Sequence, residues 1–511
     1  MNDGSRNASG AMAMRPRKSA YSSAYKIALY GFGSEPVVHR NLIDLAAKEK
    51  LPLTWCAILT TPHYRPVMSE ALPVDEILDV FKALPRTPVG GDPACLARYS
   101  ESLAEDLAAQ KRYRRKRSGR WLFDRGLDYY KLYKAFLADR GATHVLMSSI
   151  ETPDAKILVA VAQELGLGVM APMDMRNMTG TYFTTDCHET PPAHAAADVE
   201  SRTQAAEFIR RFRRNPTPAH SRPVEIASSM ADVALPAYLP PLWQRTKRFV
   251  LNAIERPDIF DYDQLRVTFM AKVAPVRNLV RGIRSLCNSP QYDITGVAAV
   301  PERFIFYPLQ YSPEASINTP APYFVDQMRA IDALRFAMPS DHMLVVKEHP
   351  ACLKMRPVKF MRRLRRVPGV IVIKSSVSSV ELIRRAALTV SVTGTAALEA
   401  FLLGRPAIAL GPGLSAWAIG RVSTMTDLRT QLVNAMNQPA PDDLVIDQIA
   451  KLMSVRYAFL YVPPHMPGEP MLRLSNMQRF LDALLDHLQR GRGAKERESA
   501  QPHDTGVPAC L

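Results

Sequence analysis

Cysteine is scarce in this chain of 511 residues: Cys56, Cys95, Cys187, Cys287, Cys352 and Cys510 stand far apart, with no CxxC or CxxH pair. That spacing excludes a disulfide framework and a zinc module, and it fits a reducing cytosol. Long apolar runs are also missing. No segment reaches the ~18 consecutive apolar residues that a membrane span needs, and the stretch before Tyr25 has no apolar core of the kind a secretion signal carries. Acidic residues are in deficit, 49 Asp+Glu against 65 Lys+Arg, which leaves a formal charge of +16.

The positive charge is concentrated. The acid-free runs 111–120 (KRYRRKRSGR), 210–214 (RRFRR) and 359–366 (KFMRRLRR) hold seven, four and five cations, as many as the whole excess. A basic chain leaves three anionic partners open: nucleic acid, an anionic membrane face, or a phosphorylated substrate. With 47% hydrophobic residues the chain can bury a large core, and its length implies two or more domains.

Apolar runs and breakers alternate. Lys26–Tyr30 predicts a strand, followed by the glycines of GFGSEP and helical spacing over 37–48. Strands are predicted at 53–59, 144–147 and from 169, with an amphipathic helix over 154–165. After the prolines of 215–241 come helices over 242–254 and 264–286. Strands at 304–307, 342–346, 370–373, 388–392 and 407–410 then alternate with helices at 323–337, 379–386 and 396–403. This alternation predicts an α/β chain with two Rossmann-like domains. The expected division is a disordered tail over 1–23, a first domain over 24–214, a Pro-rich linker with helices over 215–299 and a second domain over 300–465. A helix over 466–490 returns to the first domain, and a disordered tail covers 491–511.

The densest chemical signal is Val345–Pro350 (VVKEHP), polar groups placed directly after a buried strand, on the sheet edge where ligands bind. Lys347 adds positive charge, His349 can donate a charge-assisted hydrogen bond to phosphate, and Pro350 fixes the turn. An isolated His-Pro is more often a surface loop; two neighbouring signals change the balance. Ser375, Ser376, Ser378 and Ser379 gather where a helix begins and backbone N–H groups point outward, one of them serving as N-cap. Thr393-Gly394-Thr395 forms a second strand-loop-helix turn, in which Gly394 admits a phosphate to the backbone beside two hydroxyls. Glu399, one turn on, is placed to accept hydrogen bonds from ribose. Three phosphate-compatible loops on one edge point to a nucleotide. Glu314, in YPLQYSPEAS, follows another strand end and either faces the first half or caps a helix. Gly31 and Gly33 either let an acceptor or sugar approach the backbone or shape a tight turn.

The ordered series FIFYPLQYSPEAS, VVKEHP, SSVSSVELI and TVSVTGTAALEAFLLGRPAIALG resembles the capsule polysaccharide biosynthesis protein family, strongly over residues 300–415. The resemblance implies a GT-B type fold, two Rossmann-like domains facing across a cleft, with a nucleotide sugar on the second domain and the acceptor on the first. In related CMP-sugar transferases the HP histidine and a serine pair hold the donor phosphate, matching His349 and either Ser375-Ser376 or Ser378-Ser379. Gln310 departs from the pattern, since similar sequences often have His there. The first domain must then supply a carboxylate as base or nucleophile. Glu151 and Asp154 lie in SSIETPD, and Asp174 and Asp186 in a loop similar to one where this family carries an acid; Asp186 is favoured, then Asp174, with Glu151 capping a helix or orienting the acceptor.

The expected activity is glycosyl transfer in capsule or surface polysaccharide synthesis, of Kdo from CMP-Kdo or of another sugar, to a lipid-linked or polysaccharide acceptor. No obligatory metal or other cofactor is expected, because residues 174–186 have no metal-ligand spacing and no Asp-x-Asp pair stands at a strand end. Runs 111–120 and 210–214 are expected to hold the protein at the anionic inner face of the cytoplasmic membrane, and run 359–366 to attract the donor. A polyol-phosphate transferase or a non-catalytic export subunit would share the fold. Nucleic-acid binding is the competing class, and the chain lacks a recognition motif with interleaved aromatics.

Overall fold

Two sheets take up the buried apolar runs. The computed structural model describes residues 25–61, 64–92, 94, 117–147, 152–217, 232–238, 242–256, 274–293, 296–311, 317, 320–352, 354–420, 427–461 and 469–500. The first sheet comprises β1 (Tyr25–Gly31), β2 (Leu53–Leu59), β3 (Ile77–Asp79), β4 (His144–Met147), β5 (Gly168–Asp174) and β6 (Thr181–Thr184), in the order β3-β2-β1-β4-β5-β6. All neighbours are parallel except β5 and β6, which form an antiparallel hairpin. Helices α1 (Glu35–Lys48), α2 (Gly119–Asp139), α3 (Pro153–Glu164) and α4 (Val199–Arg214) accompany it. α2 begins inside the first basic run, with Ser118 as N-cap accepting from Trp121 N at 3.1 Å; residues 111–116 lie outside the described residues.

Two helices, α5 (Leu242–Glu255) and α6 (Ala274–Asn288), precede the second sheet. That sheet comprises β7 (Phe304–Pro308), β8 (Met343–Lys347), β9 (Val370–Ile373), β10 (Leu388–Ser391) and β11 (Ala407–Ala409), all parallel, in the order β11-β10-β7-β8-β9. Its helices are α7 (Gln327–Ala337), α8 (Val358–Arg365), α9 (Ser379–Arg385), α10 (Thr395–Leu402), α11 (Leu414–Ile419), α12 (Leu428–Asn437) and α13 (Asp442–Ser454). Both sheets are doubly wound. Strand order reverses between β1 and β4 in one and between β7 and β10 in the other, and it is outside the carboxyl ends at such reversals that open α/β sheets bind ligands.

The chain crosses between the halves twice. α4 belongs by sequence to the first half, yet Ile209 and Phe212 pack with Leu398, Phe401 and Leu402 of α10 and Val445 and Ile449 of α13. Arg213 fixes that contact, pairing with Asp442 at 2.6 Å and donating to the Leu402 carbonyl at 2.9 Å. In return, the final helix α14 (Leu474–Ala500) lays Met477, Phe480, Leu481, Leu484 and Leu488 against β2, α1 and Trp55. Thr181 and Tyr457 exchange backbone hydrogen bonds, so the return path is stitched to β6. α14 continues through 491–500, a stretch whose composition predicts a tail.

Candidate functional site

The carboxyl edge of the second sheet is built from the loops after its five strands. After β7, Gln310 N donates to Gln327 Oε1 at 2.7 Å, and the Gln310 carbonyl accepts from Gln327 at 3.1 Å and from Arg356 at 3.0 Å. After β8, Glu348 accepts from Arg356 at 3.0 and 2.8 Å and from His349 N at 2.7 Å, with both charged side chains buried. The glutamate of VVKEHP is therefore a buried brace that orients the His349 loop, a role the motif alone did not reveal. The legible signal was a Glu just past a buried strand with an Arg eight residues on. The His349 ring stands 5.6 Å from that of Tyr311.

Lys347 ends β8 and turns inward. Its Nζ donates to Ser379 Oγ at 2.5 Å, and burial lowers its pKa to about 8 against the opposing pull of Glu399. Glu399 is itself buried and accepts from Thr395 Oγ1 at 3.1 Å, so the carboxylate expected to face a ribose lies within the wall. Ser378 is the N-cap of α9, its Oγ accepting from Glu381 N at 3.3 Å. Ser375 and Ser376 occupy the turn after β9.

Gly394 is the N-cap of α10, and its carbonyl is pinned by Ser391 Oγ at 3.0 Å and Ser415 Oγ at 3.1 Å. A Cβ at Gly394 would stand 2.8 Å from Gln310 Nε2, so glycine lets the loops of β7 and β10 meet across the strand-order reversal. The Thr393 hydroxyl beside it is buried without a hydrogen-bond partner. Lys347, Ser379, Thr393, Gly394 and His349 thus share one edge, which offers positive charge and hydroxyl and imidazole donors to an anion. Glu314 lies outside the described residues.

In the first half, Gly31 and Gly33 separate in role. A Cβ on Gly31 would meet Pro36 at 2.9 Å and Leu59 at 3.0 Å, so it is a packing glycine; Gly33 has φ +55° in open space and turns the chain into α1. Asp174 ends β5 at the sheet's carboxyl edge and accepts from Arg176 N at 2.6 Å. β6 then runs back along β5, and Asp186 follows it away from that edge. Asp186 Oδ1 accepts from Thr184 Oγ1 at 3.2 Å, His188 N at 2.9 Å and Thr190 N at 3.1 Å, which makes it the organiser of its own loop. Sequence cannot distinguish such a loop-closing Asp from a free one. Glu151 lies outside the described residues. Asp154, in the first turn of α3 at the β1/β4 reversal, accepts from Tyr30 OH at 2.8 Å and Tyr133 OH at 3.5 Å. Glu189 pairs with Arg176 at 2.5 Å and raises its pKa, and its Oε2 lies 3.9 Å from the place a Gly413 Cβ would take. The two halves' loops meet there. No group of His, Cys, Asp and Glu able to hold a metal occurs among the described residues.

No curated protein matches the chain. Among solved structures it is similar to the Thermosulfurimonas dismutans KpsC β-Kdo 2,4-transferase, at 12% identity and TM-score 0.33 over 67% of this chain and 88% of that one. The β-Kdo 2,7-transferase of the same organism's KpsC gives 13% and 0.32 over 76% and 97%. The UDP-GlcNAc 2-epimerase of Neisseria meningitidis gives 12% and 0.23 over 84% and 98%. Residues 281–460, from α6 through α13 and the segment after it, match the model of the family described as "Capsule polysaccharide biosynthesis protein", and it is to this family that the motifs on the second sheet's edge carry the resemblance.

Proposed function

We propose that the protein is a nucleotide-sugar-dependent glycosyltransferase of surface polysaccharide synthesis, with a GT-B arrangement and a CMP-sugar, CMP-Kdo among the candidates, as donor. What supports this is one sheet edge on which Lys347 bonds Ser379 after β8 and β9 and the Thr393-Gly394 turn after β10 meets the β7 loop, inside the segment that matches the capsule family. In this reading His349 and Lys347 bind the donor phosphate and neutralise the charge that grows on it as the glycosidic bond breaks. Ser375 and Ser376 flank it. A carboxylate of the first half takes the proton of the acceptor hydroxyl, whose oxygen attacks the anomeric carbon, while the nucleotide leaves with the bonding pair. Asp174 and Asp154 fit that role by position at the carboxyl edge, whereas Asp186 fits loop support. The acceptor is a lipid-linked or growing polysaccharide.

The test is release of nucleotide from a panel of CMP-, UDP- and GDP-sugars with an oligosaccharide acceptor. One donor class is expected to support turnover, with His349→Ala and Lys347→Met weakening donor binding and Asp174→Asn or Asp154→Asn lowering kcat at unchanged donor affinity. Full activity of His349→Ala would remove the phosphate-site assignment. Transfer of a polyol phosphate in place of a sugar, seen in the product, would replace the reaction while keeping the site.

A further inference from the structure

α6 is mounted in reverse. An amphipathic helix on a soluble surface ordinarily turns its apolar stripe to the core and its charges to water. Here Arg284 donates to the Met355 carbonyl at 2.8 Å and the buried Asn288 to the Arg356 carbonyl at 2.9 Å, so the polar side holds the helix to the second domain. Leu279, Ile283 and Leu286, spaced four and three residues apart on the opposite side, are 66%, 53% and 74% exposed, with Val280 beside them. α5 also carries an exposed apolar stripe: Trp243, Val250, Leu251 and Ile254 stand at i, i+7, i+8 and i+11.

The charge along these helices is mostly positive. Among the described side chains, α6 has Arg281 and the engaged Arg284 and no acid, and α5 has Lys247 against Glu255. α8, which packs on α6, adds Lys359 and Arg362, with Arg366 at its end, all exposed. Its other arginines are engaged, Arg363 with Asp332 at 3.2 Å and Arg365 with Asp293 at 3.4 Å.

We infer that α6 forms a docking face that lies in the interface of an anionic lipid bilayer, with its apolar stripe in the headgroup boundary and the exposed cations of α8 on lipid phosphates. An exposed apolar stripe on a helix free of acid, with the exposed cations of α8 packed beside it, matches that surface, and the charge complementarity selects lipid over a second copy of this equally basic chain. This face is distinct from runs 111–120 and 210–214, the second of which spends Arg213 on Asp442. It accords with a lipid-linked acceptor without resting on one.

The full chain is sedimented with vesicles of phosphatidylcholine containing phosphatidylglycerol, and with phosphatidylcholine alone. Binding to the anionic vesicles only, weakened by salt, is expected; the triple variant Leu279→Ser/Ile283→Ser/Leu286→Ser should lose roughly tenfold or more in partitioning. These positions are exposed, and an unchanged thermal transition verifies that the variants fold. Wild-type protein that ignores anionic vesicles, or a triple variant that binds as well as wild type, overturns the inference. So does a concentration-dependent dimer that the triple variant abolishes, since a second copy then covers the face. No donor or acceptor is present in the assay, so its failure is separable from failure of the transferase proposal.

Discussion

Lys347 keeps an ammonium inside a wall of the proposed site, and that has a measurable cost. Burial brings its pKa down to about 8, so the cation is lost as pH rises through that value. Affinity for an anionic donor should therefore fall above pH 8, measured as the CMP dissociation constant by calorimetry from pH 6.5 to 9.5, and Lys347→Met should be weak throughout and flat over the range. Two histidines act on stability instead. His39 and His487 are buried, and burial lowers each pKa to about 3. Unfolded, each would take a proton near pH 6.5. As pH falls from 6.5 toward 3, the unfolded state binds protons that the folded state refuses, so stability present above pH 6.5 is lost by up to ~1.4 kcal/mol per pH unit for each histidine. Urea unfolding at pH 7.5 and 5 should show the loss, and His39→Leu should roughly halve the slope these two contribute.

Loops of the second sheet are held to one another rather than to their own strands. Arg356 ties the β7 loop at Gln310 to the β8 loop at Glu348 through a buried pair, and removing one partner of such a pair costs about 3–5 kcal/mol. Arg356→Leu should lower the thermal midpoint by that equivalent and loosen His349, seen as weaker nucleotide binding in the fraction that remains folded. Gly394 makes the matching contact on β10. Gly394→Ala pushes a methyl to 2.8 Å from Gln310, and overpacking of that kind costs about 1–3 kcal/mol; pairing it with Gln310→Ala should recover most of the loss. How much of this was legible follows from burial. Strands 53–59, 144–147 and 370–373 coincide with their observed limits because buried parallel strands read as continuous apolar runs. β3 has only three residues, β6 (TYFT) has threonine at both ends in place of a continuous apolar run, and α2 starts within a basic run that hides it. Motif positions on the sheet edge were legible while the partners of each side chain were not: Lys347 bonds Ser379 and Gly394 meets Gln310, while Glu399 faces inward, Ser378 caps a helix and Asp186 closes a loop. Those differences arise from hydrogen-bond partners distant in sequence or supplied by the backbone.

At the scale of the molecule the two sheets share their outer layers, α4 serving the second and α14 the first. Phe183 touches the half-buried Tyr457 and the buried Phe459 and Phe480, each fully buried ring contributing on the order of 2 kcal/mol. A chain cut after Tyr461 would leave β2 and α1 with an open apolar face, and it should aggregate or bind a hydrophobic dye where the full chain does neither. The same exchange sets a timetable for synthesis. The first sheet leaves the ribosome before the second, yet the helix that covers Trp55 and Leu42 is translated after both. The second sheet must emerge before the first domain can close, and during that interval its exposed face is a natural client for a chaperone.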